Sequence, residues 1–188
     1  GHDYPGITLV GVIGADMGLN IPDFRAAERT FQILTQVSGR GGRGDTPGSV
    51  VIQTFNPDHY AIRQAQHHHY EGFYSDELPL RQALFYPPFS RMINLQISCL
   101  RKDRGRAGAE RLGRLARELL EQRSLKGRID IVGPAEAPIP KIKGRYRWHM
   151  LLKGASPWAL KDLAREIIAK AGMSDLDIKA DVDPVSFM

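Results

Sequence analysis

The hydrophobic pattern of the first part of the chain predicts a strand, a helix and a second strand. Residues 7–13 form an unbroken apolar run, which is typical of a strand buried on both faces of a parallel sheet. Asp23 is suited to cap the following helix, and a second strand is predicted over 49–55. Strand, helix, strand is the order of a βαβ unit. The inward face of the helix comprises Ala27, Thr30, Phe31, Leu34 and Val37, at spacings of three and four.

Residues 58–90 are more polar and are predicted to form a helical linker. Helices are expected over 59–74 and 79–84, and Pro87-Pro88 ends the second helix and marks the predicted domain boundary. The run 67–69 is three consecutive histidines, whose side chains diverge on a helix, so we interpret it as a solvated patch rather than a metal site. Six aromatic residues are expected to pack between the two flanking domains: Tyr70, Phe73, Tyr74, Phe85, Tyr86 and Phe89.

The remainder, 91–188, alternates strands and amphipathic helices in the order βαββαβ. This order predicts a ferredoxin-like sandwich, with two helices on one face of an antiparallel sheet. The domain organisation expected is therefore 1–57 as an α/β part, 58–90 as the linker and 91–188 as an α+β domain. The predicted elements are strand 92–100, helix 106–123, strands 129–132 and 148–152, a helix capped by Ser156 and ended by Gly172, and strand 178–182.

Charge and composition narrow the functional classes. The formal net charge is +5 with a pI of about 9.5, which favours polyanionic partners such as nucleic acid. The single cysteine, Cys99, lies in an apolar run and is expected to be buried. A disulfide framework and a cysteine-rich zinc site are thereby excluded within this chain. The longest apolar run is too short to span a bilayer, so no membrane partner and a cytoplasmic location are the default expectation.

The stretch 36–44 combines two arginines with several glycines directly after the predicted helix. Arg40 and Arg43 carry planar guanidinium groups that suit phosphate oxygens, and the glycines permit tight turns and close approach of a ligand. The alternative interpretation is a Gly/Arg surface loop with no ligand. The arginines lie on the connection of the βαβ unit in either case.

These residues resemble two ordered motifs of superfamily 2 helicases. Gln36-x-x-x-Arg40-x-x-Arg43 is similar to motif VI, and residues 1–5 with the Thr-Leu-Val strand are similar to motif V. The resemblance is closer still to the PriA family of primosomal replication-restart helicases. Two segments are similar to that family, GHDYPGITLVGVIGAD and PDFRAAERTFQILTQVSGRGGRG. Further matching segments lie at 133–135, 141–148 and 181–184, so the resemblance spans nearly the whole chain.

The resemblance implies the end of a second RecA-like lobe followed by a C-terminal domain, in an ATP-dependent 3′-to-5′ DNA helicase. In that family Arg40 and Arg43 would be the catalytic arginines, Gln36 would orient phosphate or water, and Gly1 and Asp3 would bind nucleotide. Gly41-Gly42 departs from the family, which usually has alanine or threonine between the arginines.

ATP and Mg²⁺ are the cofactors that the resemblance implies for the full-length protein. The chain has no G-x-x-x-x-G-K-[ST] phosphate loop and no acidic Mg²⁺-binding strand motif, so the fragment alone is expected to lack ATPase activity. The family's zinc is expected elsewhere, since this chain offers no cysteine cluster for it.

A basic segment over 141–148 is the best candidate DNA contact in the last domain. Four cations and two aromatic residues surround a glycine, which suits phosphate contact combined with stacking. The alternative is a solvated basic hairpin, and Trp148 is expected in the core. The predicted DNA-binding residues are Lys141, Lys143, Arg145, Tyr146 and Arg147.

The implied partners are branched and single-stranded DNA, the acidic tail of single-strand-binding protein and other primosome proteins. Exposed strands of the first part are also expected to allow pairing with a second copy. A different class of function remains open, namely a non-enzymatic nucleic-acid-binding module with a ferredoxin-like fold attached to an α/β remnant.

Overall fold

The structure is a computed structural model that describes residues 7–39, 48–172 and 175–187. The chain divides into two units, and the division falls between Leu80 and Arg81. The predicted linker 58–90 is therefore shared between them. No helix in the described ranges is long and apolar enough to cross a membrane.

The first unit pairs two short parallel strands and places helices beside them. β1 and β2 are aligned so that Leu9 lies opposite Ser49 and Val12 opposite Ile52. This parallel pair with an intervening helix confirms the predicted βαβ order. The elements are β1 (Leu9–Val12), α1 (Asp16–Leu19), α2 (Ala26–Ser38), β2 (Ser49–Ile52), α3 (Tyr60–Gln66) and α4 (Tyr70–Ala83), and the division between the units falls within the last turn of α4.

The core of the first unit is built on the predicted inward face of α2. Phe31 and Leu34 are buried there, and the ring of Phe31 stacks on Phe73 of α4 with centroids 4.4 Å apart. Small and branched residues of α3 complete the cluster. The aromatic residue Phe73 therefore packs within the first unit.

The prediction that β1 is buried on both faces is wrong. Val12 and Ile52 pack against the helical cluster, whereas Leu9 is 64% exposed and Val51 is 60% exposed. Within the described ranges the sheet has only two strands, and its helices cover one side. An apolar run of this kind fits a strand with two covered faces, and one face here is open.

Asp23 stabilises the start of α2 without being its N-cap residue. The helix begins at Ala26 with Arg25 in the cap position. The Asp23 carboxylate accepts hydrogen bonds from the backbone N–H of Arg25 (2.9 Å) and from the Arg29 guanidinium (3.0 Å). The side chain of Asp23 is buried, so this ion pair ties the loop before the helix to its second turn.

The histidine run and Pro79 differ from their predicted settings. His67 to His69 separate α3 from α4, and His68 has a φ of +50°, so one predicted helix becomes two. All three histidines are exposed, as expected for a solvated patch. Pro79 lies inside α4 rather than at the start of a separate short helix.

The second unit is a ferredoxin-like βαββαβ sandwich, as predicted. Its four strands lie in the order β4-β5-β3-β6, and every neighbouring pair is antiparallel. The central strands are thus the first and third of the unit, and the helices connect across one face. The elements are β3 (Arg91–Cys99), α5 (Lys102–Gln122), β4 (Ile129–Ile142), β5 (Arg145–Gly154), α6 (Pro157–Lys170) and β6 (Asp177–Val182).

The core of the second unit lies between its sheet and its two helices. Alternate residues of β3, from Ile93 to Cys99, face the helices, and Cys99 is buried as expected. Helix α6 has the predicted N-cap, since Ser156 Oγ accepts a hydrogen bond from the backbone N–H of Ala159 (3.3 Å). Gly172 follows this helix with a φ of +53°, a conformation that glycine adopts readily.

Two elements extend beyond their predicted bounds. β4 continues to Ile142 and β5 begins at Arg145, so the basic segment is a β-hairpin rather than a loop. Gly133-Pro134 lies at a register shift within β4, where a sequence-based prediction stops the strand. The basic segment therefore has the hairpin structure that was the alternative in the sequence analysis.

The sheet face opposite the helices is partly covered by two segments of the second unit. At one end, Lys153 Nζ donates to the carbonyl oxygen of Leu84 (3.0 Å) and lies 4.8 Å from the centroid of the Tyr86 ring. Further along, the ring of Phe187 meets that of His149 edge-on. We call this side of the sheet the open face, because the hairpin end of it carries neither segment.

Candidate nucleic-acid interface

The basic hairpin joins β4 to β5 through a two-residue turn. Lys141 lies opposite Tyr146 and Ile142 opposite Arg145, which leaves only Lys143 and Gly144 between the strands. Both turn residues have positive φ, +47° and +79°. Two such residues match the right-handed twist of the flanking strands, and glycine tolerates the second position without strain. The exposed Lys143 ammonium is thereby placed at the tip.

The sheet separates the five predicted DNA-binding residues onto two faces. Lys141 and Tyr146 lie on the helix side, where Lys141 Nζ is 4.7 Å from the Tyr146 ring centroid. Tyr146 is half-buried and packs against the core, so part of its ring is occupied. Trp148 is buried in that core, as predicted.

Arg145 and Arg147 lie on the open face. The Arg145 guanidinium donates to Ser98 Oγ (3.1 Å) and to the Ser98 carbonyl oxygen (3.3 Å), which fixes its direction. Arg147 follows two residues later, so its side chain leaves the strand on the same side. The hairpin therefore brings Lys143, Arg145 and Arg147 together and directs Lys141 and Tyr146 away from them.

Two polar residues that sequence reasoning missed continue this row. His149 is the next open-face residue of β5, and burial together with the charge of Arg147 lowers its pKa below the usual 6.5. Asn94 lies on the neighbouring strand β3, opposite Leu151, and is only 1% exposed. Side chains alternate between the two faces of a strand, so the start of β5 at Arg145 places His149 on the same face as the arginines. The pairing of β3 with β5 then places Asn94 on that face as well.

The first unit contains a buried carboxylate shortly after its first strand. Asp16 follows β1, and its carboxylate accepts from the backbone N–H of Phe55 and from Thr54 Oγ1, both at 2.8 Å. The bond from the Phe55 N–H, reinforced by Thr54, lowers the pKa of Asp16 below its usual 3.8. Asp16 thus ties the end of β1 to the segment after β2.

The structure describes one of the predicted catalytic residues. Gln36 is exposed in the last turn of α2, so its amide is accessible at the helix end that leads into the Gly/Arg stretch. Arg40 and Arg43, and the nucleotide-binding candidates Gly1 and Asp3, lie outside the described residues. Their roles stay predictions.

The sequence is similar to that of replication restart proteins over its whole length. It is 42% identical over 186 residues to replication restart protein PriA of Synechocystis, covering 99% of this chain and 22% of that protein. The identity to the Bacillus subtilis protein of the same name is 40% over 168 residues (89% and 20%), and to that of Treponema pallidum 39% over 192 residues (100% and 28%). The chain therefore spans roughly a quarter of these relatives.

A solved structure and a family model also match. A designed protein with a ferredoxin fold aligns with 50% of this chain and 85% of its own at a TM-score of 0.34 and 12% identity. The strand order of the second unit, rather than this likeness, establishes its fold. The family model described as the primosomal protein N C-terminal domain matches residues 82–185, which include the hairpin and the open face. The chain accordingly belongs to the family of primosomal protein N C-terminal domains.

Proposed function

We propose that this chain is the C-terminal part of an ATP-dependent 3′-to-5′ DNA helicase that recognises stalled or branched replication forks and restarts replication. The observation that carries the proposal is the 42% identity to a replication restart protein across 99% of the chain. The basic hairpin supports the DNA-binding part of it, because its cations are positioned for phosphate contact. A bacterial cytoplasmic location near the nucleoid follows from this proposed function.

In this proposal the first unit is part of a second RecA-like lobe that completes an ATP site. Gln36, Arg40 and Arg43 act on the γ-phosphate of ATP bound with Mg²⁺, and Gly1 and Asp3 contact the nucleotide. Arginines from a facing lobe stabilise charge on the transferred phosphoryl group only when the lobes close. Closure then couples hydrolysis to movement along a DNA strand. The exposed position of Gln36 at the end of α2 supports this arrangement.

The second unit supplies DNA contact in the same proposal. Lys143 at the hairpin tip and the neighbouring Arg145 and Arg147 bind phosphates of branched or single-stranded DNA, while Lys141 and Tyr146 contribute from the opposite side of the hairpin. The acidic tail of single-strand-binding protein and other primosome proteins are the proposed protein partners.

The DNA contact is tested by replacing Lys143, Arg145 and Arg147 together with alanine. Binding of the chain to a forked DNA is expected to weaken at every sequence, and the slope of log affinity against log salt should fall by about one for each phosphate that the variant no longer neutralises. Fluorescence anisotropy across a salt titration measures both quantities.

A matched triple variant on the helical layer controls for the reduced positive charge. Arg114, Lys161 and Arg165 are exposed on α5 and α6, and their replacement by alanine removes the same net charge. This variant should retain most of the affinity and the salt slope. Equal losses of affinity in the two triple variants would show that the net charge of the chain, and not contact with the hairpin, determines DNA binding.

A further inference from the structure

The open face holds buried polar atoms that have no hydrogen-bond partner. Among the described residues, three on this face have such atoms: Asn94 at both its amide oxygen and its amide nitrogen, Arg147 at Nη1 and His149 at Nδ1. A buried polar atom without a partner is unfavourable, and a native fold retains few of them. Three such residues on one face therefore indicate a place where an external partner completes the hydrogen bonds.

These residues are in line with the hairpin cations. Arg145, Arg147 and His149 occupy alternate positions of β5, so their side chains emerge about 7 Å apart along one face. Asn94 lies beside this row on β3. A nucleic-acid strand whose phosphates contact Arg145 and Arg147 would therefore continue along β5 toward His149.

Residues 183–187, which we call the crossing segment, close the far end of this row. The segment leaves β6 at the edge of the sheet, where the backbone N–H of Asp183 donates to the carbonyl oxygen of Met92 (2.8 Å). Its Phe187 ring reaches His149, with centroids 6.3 Å apart and planes at 80°. Since β3 lies between β6 and β5, the segment passes over the strand that carries Asn94.

The chemistry around Phe187 suits a nucleobase. Phe187 is a flat ring, 5% exposed, that already occupies an aromatic-sized space against His149. A base in its place would meet the His149 ring edge-on, as Phe187 does, and the Asn94 amide offers a donor and an acceptor to a base edge, as asparagine does with adenine. The arginines would hold the adjoining phosphates. The ligand that fits is a single-stranded nucleic acid with one unstacked base.

We propose that the open face is a single-stranded DNA site that the crossing segment occludes, with a base displacing the Phe187 ring and pairing with Asn94. The proposal rests on the proposed function, because it assumes that DNA reaches the hairpin. It adds a second contact region and a competitor contained in the same chain. Binding is therefore weaker than the site itself permits, by the cost of moving the segment.

The test compares variants of the full chain with a fluorescent single-stranded oligodeoxyadenylate. Phe187→Ala should tighten binding about fivefold to tenfold, because the competing ring is absent. Adding Asn94→Ala to that variant should abolish the gain. Val185→Ala is the matched control, since the Val185 side chain is 66% exposed, and it should leave the affinity unchanged. Affinity of the Phe187→Ala chain equal to or below that of the control would overturn the proposal.

Hydrogen exchange of the unaltered chain provides a measurement that needs no variant. Addition of the oligodeoxyadenylate should increase the exchange of the amides of residues 185–187, because the segment is displaced. Unchanged or slower exchange there would also overturn the proposal. If the hairpin triple variant loses affinity while Phe187→Ala has no effect, only this inference fails. If no variant binds DNA at all, the DNA-binding part of the proposed function fails with it.

Discussion

Successive residues of β5 have different surroundings because their side chains alternate across the sheet. Even-numbered residues such as Trp148 and Met150 pack against the helices, whereas Arg145, Arg147 and His149 line the open face. Sequence reasoning singled out the arginines by their charge and expected Trp148 in the core, where it is buried. It missed His149 and Asn94 because neither stands out in its strand by charge or by a motif, and only the register shows that they share a face with the arginines.

His149 is expected to make the stability of the second unit depend on pH. Its folded-state pKa is lowered by burial and by Arg147, while its cross-strand partners Gln96 and Ala135 carry no charge. A lowered pKa means that the unfolded chain binds the proton more tightly, so stability is complete above pH 6.5 and is lost as the pH falls through the folded-state value. His149→Gln should flatten this dependence between pH 6.5 and more acidic conditions.

Urea unfolding followed by tryptophan fluorescence measures this effect selectively. Both tryptophans, Trp148 and Trp158, belong to the second unit, so the signal reports that unit. His59 also has a pKa lowered by burial but lies in the first unit, which makes His59→Gln the control. A pH dependence that persists in His149→Gln and vanishes in His59→Gln would contradict the assignment.

Helix α6 illustrates an element whose bounds local sequence signals predict well. Ser156 caps it, Pro157 begins it and Gly172 follows it in a left-handed conformation. Ser156→Ala should lower the free energy of unfolding of the second unit by about 0.5–2 kcal/mol, because the Ala159 N–H loses its acceptor. Urea unfolding measures the change.

The aspartate variant separates capping from other effects of the serine substitution. Ser156→Asp keeps an acceptor at the cap and adds a favourable charge at the helix N-terminus, so it should retain most of the stability. A decrease in stability of equal size in both variants would argue that the hydroxyl acts in some other way.

Helix α5 begins before the residue at which the sequence predicts its start. The sequence predicts its start at Arg106, but the helix begins at Lys102 and includes Gly105, although glycine is a poor helix former. A Cβ atom at Gly105 would lie 2.3 Å from Cζ3 of Trp148, so only glycine lets the helix approach β5 this closely. The packing of Trp148 outweighs the local preference, and no local signal reveals a contact 43 residues away in sequence.

At the scale of the whole chain, we expect no ATP hydrolysis from the 188 residues alone, with or without DNA. The sequence has no phosphate loop to hold ATP, and arginines act on a γ-phosphate only once the nucleotide is bound. A coupled phosphate-release assay measures the rate. Variants with Arg40→Ala and Arg43→Ala are the control: hydrolysis that both substitutions abolish would refute the expectation, whereas hydrolysis unaffected by them arises from a contaminant.

The two units differ in how far their sequence alone predicts them. In the second unit each element has its own period, cap or turn, and the βαββαβ order fixes which faces are covered. In the first unit the apolar run containing Leu9 correctly predicts a strand but not its surroundings, because burial depends on what packs against the strand. The basic hairpin was predicted as a candidate contact from composition, while its division between two faces required the register.

The single cysteine of the chain offers a way to measure how readily the interior of the second unit opens. Cys99 is a free thiol at the end of β3, 2% exposed, and its Cβ lies against the same tight contact that admits only glycine at position 105. A thiol reagent can therefore reach it only when β3 and α5 separate. The rate at which the reagent labels Cys99 therefore reports the opening of the interior. A ligand that binds the folded unit should lower this labelling rate in proportion to the fraction of the protein that it occupies.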